Sequence, residues 1–267
     1  MADYKTIEVV QDGEVDWVSL NRPDALNALD KEMTQELYDY FTQLYHDHSR
    51  RIVVLKANGR AFCAGIDLAE AEMETGAASN VQDVMNRQVA IADIMKAIAR
   101  CAQPVIALLN GPVCGGGFTL ALAADIRIAA DDCKMNAAFI KIGLTGCDMG
   151  SSYFLPRLVG ASVAAEFILT GRFIYADRAL STGLVSEVVA KDALVAAAQS
   201  YIDDMLLTAP MGLRLTKQSL RLAIDAPSLD AAMAMEDRHQ VLLAHTKDHK
   251  EAVSAFFEKR SPHYSDE

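Results

Sequence analysis

Three consecutive glycines, Gly115 to Gly117, follow an apolar run, Pro104 to Leu109, and open an Ala/Leu-rich stretch of helical character. Glycine lets the backbone come close to a ligand and adopt angles that a Cβ would forbid. A helix starting there leaves its first N–H groups unpaired, with the positive end of the helix dipole behind them. Such donors suit a carbonyl oxygen that is gaining negative charge, so the corner is a candidate oxyanion hole. Close helix–strand packing without a ligand is the alternative. A dinucleotide loop would need Gly-x-Gly-x-x-Gly and a later acidic residue, a spacing that Gly111-x-x-x-Gly115-Gly116-Gly117 lacks.

Other reactive side chains offer less. His245 and His249 are four apart on a helix, the spacing of paired metal ligands, but Thr246-Lys247-Asp248 between them lacks the glutamate of the zinc-protease motif. With Lys247 and Lys250 beside them they read as a solvated face, and no metal is expected. Cys63, Cys114 and Cys147 fall in loops that could line a pocket, where small size explains them better than nucleophilic catalysis. Gly150-Ser151-Ser152 is not a Gly-x-Ser-x-Gly elbow. Arg60 could meet a phosphate or simply face solvent.

The elements that must carry this chemistry alternate. Residues 7–20 read as two strands around Gln11-Asp12-Gly13, and Asp30 can cap a helix running to about His48. A buried-type strand follows at Arg51 to Ala57, then the loop Asn58 to Leu68. Residues 69–80 look mobile, and a helix spans about Val81 to Arg100. Strand 104–109, the glycine corner, a helix over 116–123 and a strand at Ile126 to Ala129 come next. Asp125 is expected to order that strand's entry. From about Ala161 the chain reads as almost all helix, apart from a strand at Leu184 to Val189, with Phe167, Phe173, Tyr175 and Tyr201 mostly in the core. This is an α/β pattern.

The 267 residues suit one domain, or one domain with a helical extension. A formal net charge of −11 argues against nucleic acid as a partner. No apolar run reaches the roughly 18 residues of a membrane span, and the N-terminus lacks the features of a secretion signal. Five cysteines, an odd number without a Cys-x-x-Cys pair, favour reduced thiols and a cytoplasmic setting.

Several segments together resemble the crotonase (enoyl-CoA hydratase/isomerase) superfamily. They are Asn21-Arg-Pro-Asp-Ala-Leu-Asn-Ala-Leu29, Ala61-Phe-Cys-Ala-Gly-Ile-Asp-Leu68, the stretch from Pro104 through Asn110-Gly-Pro-Val-Cys-Gly-Gly-Gly117, Ala124-Asp-Ile-Arg-Ile-Ala129, Leu155-Pro-Arg-Leu-Val-Gly160, Thr170-Gly-Arg172 and Ala255-Phe-Phe-Glu-Lys-Arg260. The resemblance implies a spiral of ββα units over residues 1–200 and a C-terminal helical trimerisation or lid region over 201–267. It also implies a homotrimer or dimer of trimers, and an acyl-CoA thioester as substrate, with CoA present only as part of that substrate. Ile66 and Gly116 would supply the two backbone N–H groups that hold the thioester oxygen. Ala64, Asp67 and Leu68 match positions whose backbone lies beside the adenine, with Asp67 more structural than catalytic. Ala25 and Leu26 match a segment flanking the pantetheine, and Phe256 and Lys259 match positions that can reach CoA in a neighbouring subunit.

The chain departs from that pattern in its acids. Enoyl-CoA hydratases similar to it position water with two glutamates; the first position is Thr119 here and the second, counted without gaps, Phe139. Neither is a carboxylate. Counting back from Leu155-Pro156, Asp148 matches the aspartate of dienoyl-CoA and epoxyphenylacetyl-CoA isomerases, although this chain carries one residue more between Gly143 and the aspartate. An isolated Asp in an apolar pocket would have its pKa raised, suiting proton transfer. Asp148 could also cap a helix beginning at Met149. The expectation is double-bond isomerisation by Asp148. The alternatives are a hydratase with a non-standard carboxylate and a non-catalytic acyl-CoA-binding subunit.

Overall fold

The computed structural model describes residues 4–70 and 80–267, in two compact units. The first holds the residues up to Cys101 together with Val105–Ala198. Its chain begins as a hairpin: β1 (Ile7–Asp12) pairs antiparallel with β2 (Val15–Leu20) across the Gly13 turn. β3 (Ile52–Ala57), β4 (Val105–Leu109), β6 (Ile126–Ala130) and β9 (Glu187–Val189) then add in parallel, giving the order β1-β2-β3-β4-β6-β9. Parallel neighbours need long crossovers. Here α1 (Lys31–Gln43) joins β2 to β3, α2 (Val81–Arg100) precedes β4, and α3 (Gly116–Ala123) precedes β6. β4 is buried at every residue, as expected of a parallel strand covered on both faces. α3 is apolar all round and buried throughout, so it is a core helix.

Local chemistry explains the boundaries. The Asp30 carboxylate accepts from Met33 N at 2.8 Å and starts α1, and Asn80 does the same for α2 through Asp83 N. α1 stops at Gln43 rather than near His48. Its apolar stripe ends at buried Leu44, after which His46, Asp47 and His48 are exposed. Asp125 knots the sheet: its N–H donates to Val105 O and its Oδ2 accepts from Val105 N, each within 2.9 Å. Only the later half of α2 is covered, by Ile91, Ile94, Met95 and Ile98; Val81, Val84, Met85 and Val89 are exposed.

A second sheet escapes the sequence pattern. β5 (Pro112–Cys114), β7 (Lys134–Asn136) and β8 (Ile174–Tyr175) form it in the order β5-β7-β8. Its strands are too short for alternation to register, and the first begins with proline. α4 (Ser151–Val159), α5 (Ala161–Thr170) and α6 (Ala176–Ser181) complete the first unit's main helices. The strand expected from Leu184 is confined to Glu187–Val189. Phe167 is buried as expected, but Phe173 and Tyr175 are exposed, because the short β8 lies at the margin of its sheet. The segment expected to be mobile, 69–80, falls largely on residues 71–79, outside the described residues.

α7 (Leu194–Leu206) leads into the second unit, Ala102–Pro104 and Gln199–Glu267. There α8 (Pro210–Ala223) starts with proline in its first turn, and α9 (Leu229–Ala244) and α10 (Lys247–Glu258) are capped by Ser228 and Thr246. Buried Lys217 donates to Gln103 O at 2.6 Å. Buried Asp248 accepts from Ser265 N and Asp266 N and ties down the C-terminal segment. Apolar side chains at Leu220, Ile224, Leu242, Phe256 and Phe257 are exposed. No helix among the described residues is long and apolar enough to cross a membrane.

Candidate active site

Two loops bring a pair of free N–H groups together. Leu29 bridges Ile66 in parallel: Leu29 N donates to Gly65 O at 2.7 Å and Leu29 O accepts from Asp67 N at 3.0 Å. A bridge built on the flanking residues turns the N–H of Ile66 to the opposite edge, where it donates to no group among the described residues. Gly116 is the first residue of α3, so its N–H has no acceptor within the helix either. The neighbouring donors are engaged, Cys114 N with Cys63 O and Gly115 N with Asn136 O, each at 2.9 Å.

Glycine is required where the loops meet. Gly65 has φ +108, and a Cβ there would stand 3.1 Å from Cys114 O and 3.6 Å from Gly116 N. At Gly117 a Cβ would lie 2.5 Å from both the carbonyl oxygen and the Cβ of Cys63. Side chains at these positions would drive the two donors apart.

Arg22 holds the outer wall of this arrangement. Its Nε lies 3.0 Å from Asp30 Oδ2, its Nη2 3.1 Å from Asp67 Oδ2, and its Nη1 donates to Ala28 O. One planar guanidinium thus joins the helix-capping Asp30 to the loop carrying Ile66, a fork geometry that lysine could not match. Asn27, wholly buried at φ +54, adds donations from Nδ2 to Asn58 O and Ala61 O. The carboxylate of Asp67 is thus engaged by Arg22. Arg22→Met should lower kcat about tenfold through misplacement of Ile66 N–H, measured by steady-state kinetics; unchanged kcat would show that the clamp is dispensable.

The two hydratase-glutamate positions are apolar in effect. Thr119 is wholly buried and its hydroxyl donates back to Gly116 O at 2.8 Å, with Met149 Sδ 3.8 Å away. Phe139 is buried, its ring edge 3.5 Å from where a Gly115 Cβ would be. Thr119→Val should leave turnover within roughly threefold, since the hydroxyl serves a local helical bond and a weak contact to the Met149 sulfur; a hundredfold loss would make it a working acid.

Asp148 stands in the loop before α4. It is half-buried, and its Oδ1 accepts from Met149 N at 2.7 Å and from Gln88 Nε2, on α2, at 2.6 Å. The expectation of an isolated carboxylate is therefore corrected. So is that of a helix cap: α4 begins at Ser151 after Gly150, and Asp148 makes no side-chain bond into the helix. Met149 and Gly150, at φ +48 and +91, break the helix before it starts. Met149 in turn reaches the glycine corner, its Sδ and Cε 3.3 Å from the Cβ position of Gly116. Gln88, which sequence reasoning missed, is separated from Asp148 by 60 positions and sits on a helix that carries no motif.

The model of the family described as enoyl-CoA hydratase/isomerase matches residues 11–267. The chain belongs to that family. It is 38% identical, over 92% of its length and 85% of the relative's, to a probable enoyl-CoA hydratase of Mycobacterium leprae. It is 34% identical to the 1,2-epoxyphenylacetyl-CoA isomerase of Escherichia coli, over 93% and 94% of the two chains. Among solved structures, an enoyl-CoA hydratase from Bacillus anthracis superposes with a TM-score of 0.92 at 34% identity, covering 98% of this chain and 100% of the other. The fold is thus that of the crotonases.

The residues that the crotonase pattern assigns to CoA fall in both units. Ala64 N donates to Leu26 O at 3.0 Å, which joins the segment of Ala25 and Leu26 to that of Ala64, Asp67 and exposed Leu68. Phe256 and Lys259 lie in the second unit, Phe256 exposed on α10 and Lys259 in a left-handed cap. Arg60 is exposed, and His245 Nδ1 bonds to Val241 O within its own helix. Burial pushes the thiol of Cys63 up to about 12 and also raises Cys114, while Cys147 is exposed. Iodoacetamide should therefore label Cys147 first, Cys114 slowly, and Cys63 only on unfolding; prompt labelling of native Cys63 would restore a nucleophile reading.

Proposed function

We propose that this crotonase is an enoyl-CoA isomerase that moves a double bond along a CoA-linked acyl chain. In this reading the N–H groups of Ile66 and Gly116 hold the thioester oxygen, and Asp148 carries the proton. The observation that carries it is the placement of Asp148 next to Met149, whose side chain touches the glycine corner, while Thr119 and Phe139 leave no carboxylate at the water-splitting positions. The isomerase name of the Escherichia coli relative supports the same choice.

The chemistry balances with one carboxylate. Asp148 takes a proton from C2 of a 3-enoyl thioester as negative charge spreads onto the thioester oxygen. The double bond shifts from C3–C4 to C2–C3, and the carboxyl group, whose proton exchanges with solvent before delivery, protonates C4. Each oxyanion donor is worth about 3–4 kcal/mol in the transition state, and the positioned acid–base roughly 10²–10⁴ in rate. The exposed apolar side chains of the second unit fit burial in a homotrimer or dimer of trimers.

A hydratase reading draws on the name of the Mycobacterium leprae relative. Incubation with a 3-enoyl-CoA separates the two: a conjugated product of unchanged mass supports isomerisation, whereas a product heavier by one water overturns it in favour of hydration. No reaction across acyl lengths would point to a binding subunit.

A further inference from the structure

The carboxylate of Asp148 is held unsymmetrically. Both N–H donors that reach it, from Met149 N and Gln88 Nε2, end on Oδ1, while Oδ2 accepts from no group among the described residues. A carboxyl oxygen already accepting two N–H bonds has its lone pairs engaged, so a proton is received on the other oxygen. We propose that Gln88 is a positioning residue that fixes Oδ1 and thereby presents Oδ2 as the oxygen that takes and returns the substrate proton. This rests on the reading of Asp148 as the proton carrier.

The surroundings favour a dedicated role over a chance surface contact. Met149 N alone would leave the carboxylate free to turn about its Cβ–Cγ bond, because that donor comes from the next residue in the chain. Gln88 comes from a different element, 60 positions away, and adds the second point that fixes the plane. It lies one turn beyond Val84 and Met85, exposed apolar residues of the uncovered half of α2 whose side chains carry no hydrogen-bond donor. An amide is neutral and keeps its donor whether the carboxyl group is charged or protonated, so the anchor survives both halves of the transfer.

The test is a kinetic cycle with Gln88→Met, which keeps side-chain length and removes the donor, and Gln88→Glu, which puts an acceptor in its place. Gln88 is exposed on a helix surface, so thermal midpoints close to the parent protein's are expected. Gln88→Met should lower kcat roughly 10–100-fold with KM changed less than about twofold, and Gln88→Glu should lower it further, because only transition-state geometry is lost. In an Asp148→Asn background Gln88→Met should change nothing more, since the group it aims is gone. Wild-type kcat in Gln88→Met with an inactive Asp148→Asn would overturn the role of Gln88 alone. Full activity in Asp148→Asn would overturn the proton-carrier reading and this one with it.

Discussion

Asp148→Asn is expected to lower turnover of a 3-enoyl-CoA by roughly 10²–10⁴ while leaving its dissociation constant within about twofold. The substitution keeps shape and the acceptor oxygen that Met149 N and Gln88 Nε2 use, so the loop before α4 has no reason to rearrange. What is lost is a group that can hold a proton between C2 and C4. In the proposed reading binding depends on other parts, the pair of N–H donors at Ile66 and Gly116 and the segments around Ala25, Leu26 and Ala64, none of which contains Asp148. Isothermal calorimetry with an unreactive acyl-CoA, beside steady-state kinetics, separates the two effects. Loss of binding in step with turnover would make Asp148 a structural residue of its loop.

Gly117→Ala should have the second large effect, on rate and stability together. A methyl group there meets Cys63 O and Cys63 Cβ at 2.5 Å, and Cys63 accepts from Cys114 N in the bond that joins the two loops. Neither neighbour is the flexible end of a side chain, so the backbone must move. Overpacking of this kind costs about 1–3 kcal/mol, and separation of the two donors removes about as much transition-state stabilisation as deleting one of them, roughly 10²–10³ in kcat. Gly13→Ala is the comparison: a Cβ there meets nothing within 4 Å, and its φ of +57 confines the effect to local strain. Thermal unfolding and kinetics of the pair should show the rate loss in Gly117→Ala alone; equal rates would mean that the corner tolerates a side chain and that the donors are not held by this contact.

The glycine corner could be read from the chain because glycine there answers a steric demand that leaves no other choice. Three glycines after a buried strand report a close approach even before its partner is known, and Cys63 proves to be that partner. The main sheet was legible for a similar reason: β3 and β4 are apolar runs of a length that only a covered strand explains. β5 and β7 carry no such signature, being three residues each. Their pairing follows from where the larger sheet delivers the chain, which no local pattern encodes. The helix expected from Met149 failed because left-handed angles at Met149 and Gly150 override the cap preference of Asp148. Arg22 and Gln88 escaped notice for another reason. Both act across long sequence separations, on Asp67 and Asp148. The place of Arg22 inside one of the matching motifs was the available signal for the first; the second had none.

The most direct measurement is mass spectrometry and NMR of a 3-enoyl-CoA incubated with the enzyme in heavy water. The expected result is a 2-enoyl-CoA whose mass rises only by exchanged deuterium, with the label at C4 where the carboxyl group of Asp148 delivers it, and no added water. A product that gains the elements of water, or label at C2 with the double bond unmoved, would contradict proton transfer from C2 to C4.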